Sequence, residues 1–322
     1  MHLAPTILAV VLLAAGCVEY AVTEYETTDV FHQNPWEKVD VLLVVDNSCS
    51  MEPYQDKLAT DFGGFFDFFA DGEVDWRLGV VLTDPIDPDF GYIRGPIVTP
   101  DVPDPEALFA EVVHVGTGGF GIEMGLESAR LALSGYNHGF PRDDASVSLI
   151  FVSDEQDTSP NTVATYVDAY YEVKGHRARD AFNASALTVT SIADCTPEQY
   201  MASTPGTRYI EAAERTGGVV ANLCLEDFAP IVVDLALTTS AMRDTYYLSR
   251  RPNLDTLEVL VEEDPVSCID GAWTYSRVLQ DGVERPAIIF DAEHLPPAGA
   301  RIVAQYINGS GSPDGYCKDS PQ

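Results

Sequence analysis

The stretch VDVLLVVDNSCSM, residues 39–51, holds six apolar residues around Asp40 and then turns polar at Asp46. A strand that is apolar on both faces is covered on both faces, as strands inside parallel sheets are. The run 39–45 therefore predicts a central strand. Beyond it, Asp46, Ser48 and Ser50 fall at every second position. In an extended segment alternate side chains project to the same side, so these three converge while Asn47 and Cys49 face elsewhere. One carboxylate and two hydroxyls are hard oxygen donors, which suit Mg2+, Ca2+ or Mn2+ better than zinc or copper. The competing use of the same residues is helix capping, since Asp and Ser are common N-caps.

Outward from this stretch, apolar runs alternate with helical patterns. PYQDKLATDFGGFFDFFA reads as one amphipathic helix and DWRLGVVLTD as a strand. GIEMGLESARLALSG reads as a helix, SVSLIFVSD as a fully apolar strand, TVATYVDAYYEVKG as a helix and ASALTVTSIAD as a strand. Two helices, around RYIEAAERTGG and FAPIVVDLALTTSAM, close the series. The rhythm predicts an α/β fold, a doubly wound, mostly parallel sheet flanked by helices over residues 39–245. From 246 to 322 the segments TYYLSR, TLEVLVEE, WTYSRVLQ, PAIIFDA and ARIVAQYI are short, alternating and separated by Pro, Gly and Asp, which predicts a small antiparallel β domain. Residues 18–38 are polar with little periodicity and read as a tether, order beginning near Val39.

In a doubly wound sheet, ligands bind beyond the carboxyl ends of the strands. Asp46 stands at one such end and Asp154, closing SLIFVSD, at another; GTGGFG places Thr117 on a loop before a helix. At these residues the sequence resembles the von Willebrand factor type A (VWA) family. Its metal-ion-dependent adhesion site (MIDAS) carries D-x-S-x-S on a first loop, Thr on a second and Asp on a third. The resemblance covers about residues 39–245 and implies metal ligands at Asp46, Ser48, Ser50, Thr117 and Asp154. It implies bound Mg2+, or Ca2+ or Mn2+, with one coordination position left for an acidic residue of a protein partner. Glu155 stands where many relatives have a small residue and Asp157 lies close by, so both are further metal-ligand candidates.

Asp and Glu number 51 against 18 Lys and Arg, only four of them Lys, for a net charge of −33. Binding nucleic acid needs clustered basic residues to neutralise phosphates, and no basic stripe occurs, so nucleic acid is excluded as a partner. MHLAPTILAVVLLAAGC reads as a signal peptide over residues 1–16, too short to span a bilayer. LAAGC resembles the lipobox of bacterial lipoproteins, which makes Cys17 a lipidation candidate, with residues 17–38 as the tether after it. Two features depart from that pattern: no Lys or Arg precedes the run, and Ala14 stands where a larger aliphatic is usual. The alternative is an ordinary cleaved signal. Acyl chains would hold the protein at a membrane surface without a spanning helix, in the cell envelope; without lipidation it would be secreted. Cysteine usage fits an oxidising compartment, and chain positions suggest Cys195 with Cys224 and Cys268 with Cys317, one bridge per domain, though sequence alone leaves the connectivity open.

Other signals carry less. Gly116, Gly118 and Gly121 match G-x-G-x-x-G, but that fingerprint belongs on the first βα turn, which here is DNSCS. Asp84, Asp87 and Asp89 lack the distal Glu of an EF-hand and read as a turn. The expected function is a non-enzymatic adhesion or protein-binding module; the alternatives are a structural subunit of a cell-envelope assembly and, last, a metal-dependent hydrolase, for which no general base stands beside the motif.

Overall fold

The structure is a computed structural model and describes residues 26–33, 36–71, 74–175, 181–200, 203–280, 283–297 and 299–309. The expected signal segment, Cys17 and Cys317 lie outside the described residues. The first strand, β1 (Glu26–His32), belongs to the smaller domain. The central sheet is built from β2 (Lys38–Val45), β3 (Asp75–Leu82), β4 (Ser146–Ser153), β5 (Phe182–Thr188) and β6 (Val220–Asn222). Its order is β3-β2-β4-β5-β6 and every pairing is parallel, as the apolar runs predict.

Alternation along β2 feeds two cores. Val39, Val41, Leu43 and Val45 pack on one side with Phe62, Phe65, Phe69, Phe109 and Leu235. Leu42 and Val44 pack on the other with Leu126, Tyr166, Tyr170 and Tyr209. The first side is covered by α1 (Glu52–Asp61), α2 (Gly63–Asp71), α3 (Pro105–Val113) and, from the far end of the chain, Ala229–Ser240. The second is covered by α4 (Gly125–Leu131), α5 (Val163–Lys174) and, after the short α6 (Pro197–Tyr200), α7 (Thr207–Thr216); Ala229–Ser240 is α8. Fully burying such a side chain stabilises by ~1.5–3 kcal/mol, so both faces have to be covered. Asp40, the one acid in the run, is fully buried and accepts from Arg142 Nε at 2.8 Å, which offsets its desolvation. The single helix expected over PYQDKLATDFGGFFDFFA is two: the chain breaks at Phe62, ahead of Gly63 and Gly64, residues with poor helix propensity.

Register levels the strand ends. Val45 lies opposite Leu82 on one side and Val152 on the other. Asp46, Thr83 and Ser153 therefore emerge side by side, with Asp84 and Asp154 one residue further on.

The smaller domain has two antiparallel sheets, one of β1, β12 (Arg301–Ile307), β8 (Glu258–Val261) and β9 (Asp264–Pro265), the other of β10 (Trp273–Gln280), β11 (Val283–Phe290) and β7 (Thr245–Tyr247). They enclose their own core around Tyr246, Trp273, Tyr275, Ile288, Ile302 and Tyr306. One expectation is corrected here. Residues 26–32, read as tether, form strand β1, paired antiparallel with β12 from Glu26 opposite Ile307 to His32 opposite Arg301. The fully buried Gln33 then joins the domains: its amide donates to Arg243 O at 2.9 Å and accepts from Arg243 N at 3.0 Å. Among the described residues no helix is long and apolar enough to cross a membrane.

Candidate metal centre

Asp46 is fully buried. Its backbone N–H donates to Val152 O at 3.0 Å, continuing the ladder one residue past the strand. Oδ1 accepts from Ser48 N at 2.7 Å and Oδ2 from Ser153 Oγ at 2.6 Å. Ser48 Oγ lies 3.1 Å from Ser50 Oγ, and Ser50 Oγ donates to Asp154 Oδ1 at 3.2 Å. Ser203 Oγ holds the other Asp154 oxygen at 3.1 Å. Asp46, Ser48, Ser50 and Asp154 are thus brought together at the carboxyl ends of β2 and β4. Capping does not account for the hydroxyls: Ser48 makes no side-chain cap bond, and α1 is preceded by Met51.

The second loop is tied down over the first. The Gln55 amide donates to Asp46 O at 3.2 Å and to Gly116 O at 2.9 Å, and Gly119 N donates to Asn47 O at 2.9 Å. A Cβ at Gly119 would stand 2.6 Å from Asn47 Oδ1, so this approach requires glycine. Thr117 lies between the two ties but is exposed, and its hydroxyl makes no hydrogen bond among the described residues. From the same loop, fully buried Glu123 accepts from the Thr83 hydroxyl on Oε2, while Oε1 has no hydrogen-bond partner among the described residues. Asp84 clips the rim together, Oδ1 accepting from Ile86 N at 2.9 Å and Oδ2 from Phe120 N at 3.1 Å. With Asp89 N donating to Asp87 Oδ1, TDPIDPD is a turn, as expected.

The two further ligand candidates behave differently. Asp157 is corrected: both its oxygens are engaged inside the fold, by Arg208 Nε and Ser159 Oγ at 2.8 Å each and by Leu126 N and Ser159 N at 3.1 Å each. Adjacency in sequence put it near Asp154, whereas Arg208 from α7 holds it in a buried ion pair. Glu155 stays at the rim, where a Cβ at Gly121 would be 3.7 Å from its carboxylate oxygens.

Acids dominate the electrostatics. Burial, then the Asp46 charge, pushes Asp154 up to about 7 and Glu123 up to about 8. The same two causes raise Glu155, and burial raises Asp46 itself. Among the described residues no Lys or Arg pairs with Asp46, Asp84, Glu123, Asp154 or Glu155. Nor does any group of three or more His, Cys, Asp or Glu among them converge to hold a metal, so a centre here depends on the hydroxyls. The residues present fit a hard dication. Neighbouring oxygens on an octahedral ion with bonds of about 2.0–2.1 Å stand ~3 Å apart. The Ser48–Ser50 and Ser50–Asp154 spacings of 3.1 and 3.2 Å meet that condition.

Sequence reading missed Glu123, Ser153, Gln55 and Ser203. Ser153 had a signal, a polar residue directly after the apolar run 149–152 and before Asp154; Gln55 and Ser203 had none. Cys195 and Cys224 form a disulfide. Cys268 is disulfide-bonded and buried, but Cys317, expected as its partner, lies outside the described residues. Cys49 is free and exposed. A cleft of about 890 Å3, lined by His32, Trp36, Asp234, Thr238, Met242 and Arg243, lies where the two domains join, at the opposite end of the sheet from the strand-end oxygens.

No family model matches the chain, and no curated protein does. Among solved structures it is similar to proximal thread matrix protein 1 from the mussel byssus, with a TM-score of 0.42 and 16% identity over 67% of this chain and 48% of that one. A form of that protein described with a zinc-occupied MIDAS motif gives 0.41 and 15%, over 65% and 47%. The pilus adhesin SpaC from Lactobacillus rhamnosus GG, in its open conformation, gives 0.47 and 12%, over 88% and 40%. The chain thus spans less than half the length of these structures. The α/β fold class is the one expected from the alternation of apolar runs and helical patterns over residues 39–245.

Proposed function

We propose that the chain is a non-enzymatic, VWA-like binding module that captures an acidic residue of a protein partner through a divalent cation, Mg2+ or else Ca2+ or Mn2+. The observation that carries the reading is the meeting of Ser48, Ser50 and Asp154 oxygens at 3.1–3.2 Å beside a buried Asp46. Ser48 and Ser50 would hold the ion directly. Asp46, whose oxygens already accept from Ser48 N and Ser153 Oγ, would act by charge and by orienting the loop. Bound there, a dication supplies an electron-poor point that attracts an anionic group, because two of its donors are neutral hydroxyls. Ile86 and Phe120, 71% and 57% exposed, have their backbone N–H groups tied to the two oxygens of Asp84 and offer an apolar shelf on the same rim.

Export and lipid anchoring through Cys17 belong to the same proposal; the Cys195–Cys224 bridge supports an oxidising compartment. Mass spectrometry of the mature N-terminus tests the anchor. The functional test is capture of envelope proteins by the wild-type chain in Mg2+, set against EDTA and Asp46→Ala; capture unchanged by either sinks the reading. A second reading, a scaffold subunit of an envelope assembly, draws support from the smaller domain's separate core and its tie through Gln33 to Arg243, just past α8. In that case assembly persists in EDTA.

A further inference from the structure

The second loop reaches the strand ends with two oxygen-bearing side chains, and only one of them is buried against the acids. Thr117 is exposed and its hydroxyl makes no hydrogen bond among the described residues. Glu123 is fully buried, and its backbone is fixed from both sides. Thr158 donates to Glu123 O through N–H at 2.7 Å and through Oγ1 at 2.8 Å, and Met124 N donates to Thr83 O at 2.8 Å. The side chain is thereby set beside Thr83, the residue level with Asp46 in the sheet register. Of the charges acting on Glu123, that of Asp46 is the strongest. Oε1 is left buried without a hydrogen-bond partner among the described residues. An orphaned buried oxygen costs about 1–3 kcal/mol, more when charged, so its persistence points to a partner that the protein itself does not provide.

We propose that Glu123, and not Thr117, is the second loop's contribution to the cation held by Ser48, Ser50 and Asp154, meeting it directly or through one bound water. The inference rests on the cation reading above and alters its ligand set. An acid in place of a hydroxyl adds negative charge to the centre, which favours a more fully charge-compensated ion and weakens the pull on an incoming carboxylate.

The test uses the full chain as wild type, Glu123→Gln, Glu123→Ala and Thr117→Ala, titrated with Mn2+ by calorimetry, with thermal unfolding in EDTA alongside. Loss of a metal-supporting side chain typically lowers affinity ~10–100-fold. That loss is expected for both Glu123 variants, while Thr117→Ala stays within about twofold of wild type, by the same measure. In EDTA, Glu123→Gln is expected to unfold no earlier than wild type, because it removes a buried acid with an orphaned oxygen. Wild-type affinity in Glu123→Gln, or a tenfold-scale loss confined to Thr117→Ala, overturns the assignment. So does early unfolding of Glu123→Gln in EDTA, which marks a purely structural acid. A wild-type chain that binds no Mn2+ overturns the cation reading itself.

Discussion

Raising the pH from about 6 to about 8 is expected to tighten cation binding steeply. In the cation-free protein, burial and the Asp46 charge hold Asp154 at about 7 and Glu123 at about 8. A dication binds ionised oxygens, so it has to displace any proton they carry. If Asp154 alone must ionise, the apparent affinity rises ~10-fold over that interval; if Glu123 must ionise as well, it rises ~500-fold. Carboxyls at their ordinary values near ~4 would give almost no change. The steps belong to the interacting acids as a group, so the total counts more than either midpoint. Stability follows with the opposite sign. Both groups have folded values above their unfolded ones, so their stabilising contribution is complete below about pH 4 and is lost as pH climbs through about 7 and about 8. Without cation the protein therefore weakens across that window, and saturating cation restores it. Calorimetric titration with Mn2+ in two buffers of different ionisation enthalpy gives affinity and protons released together. An affinity flat within about twofold, with no proton release, refutes the reasoning.

Arg208→Ala is expected to cost ~3–5 kcal/mol in urea unfolding, because it leaves the fully buried Asp157 carboxylate without its ion-pair partner, yet to leave Mn2+ affinity unchanged. A large loss of affinity would return Asp157 to the metal group. Reducing Cys195–Cys224, which closes a loop of sequence separation 29, is expected to lower stability by about 3.5 kcal/mol, read by unfolding with and without reductant; no change would mean the loop is constrained in the unfolded chain already. Phe120→Ser is expected to weaken partner capture while Mn2+ affinity holds, since the Phe120 side chain is exposed and its hydrogen bonds at the rim are made by its backbone. Equal capture by this variant would remove the apolar shelf from the interface.

What was legible in the sequence is what local pattern encodes. The apolar runs 39–45 and 146–153 named the central strands because both faces are buried, and D-x-S-x-S named the first loop because alternation carries past the strand end. Strand β1 was hidden: it is half exposed, polar in sequence, and its partner β12 lies more than 260 residues away. Glu123 was hidden by a glycine-rich loop whose path depends on contacts with Asn47 and Gln55. Asp157 misled because proximity in sequence cannot reveal that Arg208, arriving on another helix, takes both its charge and its place in the core.

The most direct measurement is anomalous diffraction from crystals of the chain grown with Mn2+. The account predicts one strong peak at the ends of β2 and β4, within direct coordination distance of both Ser48 Oγ and Ser50 Oγ and beside Asp154. A peak elsewhere, or none at a concentration that saturates binding in solution, would contradict it.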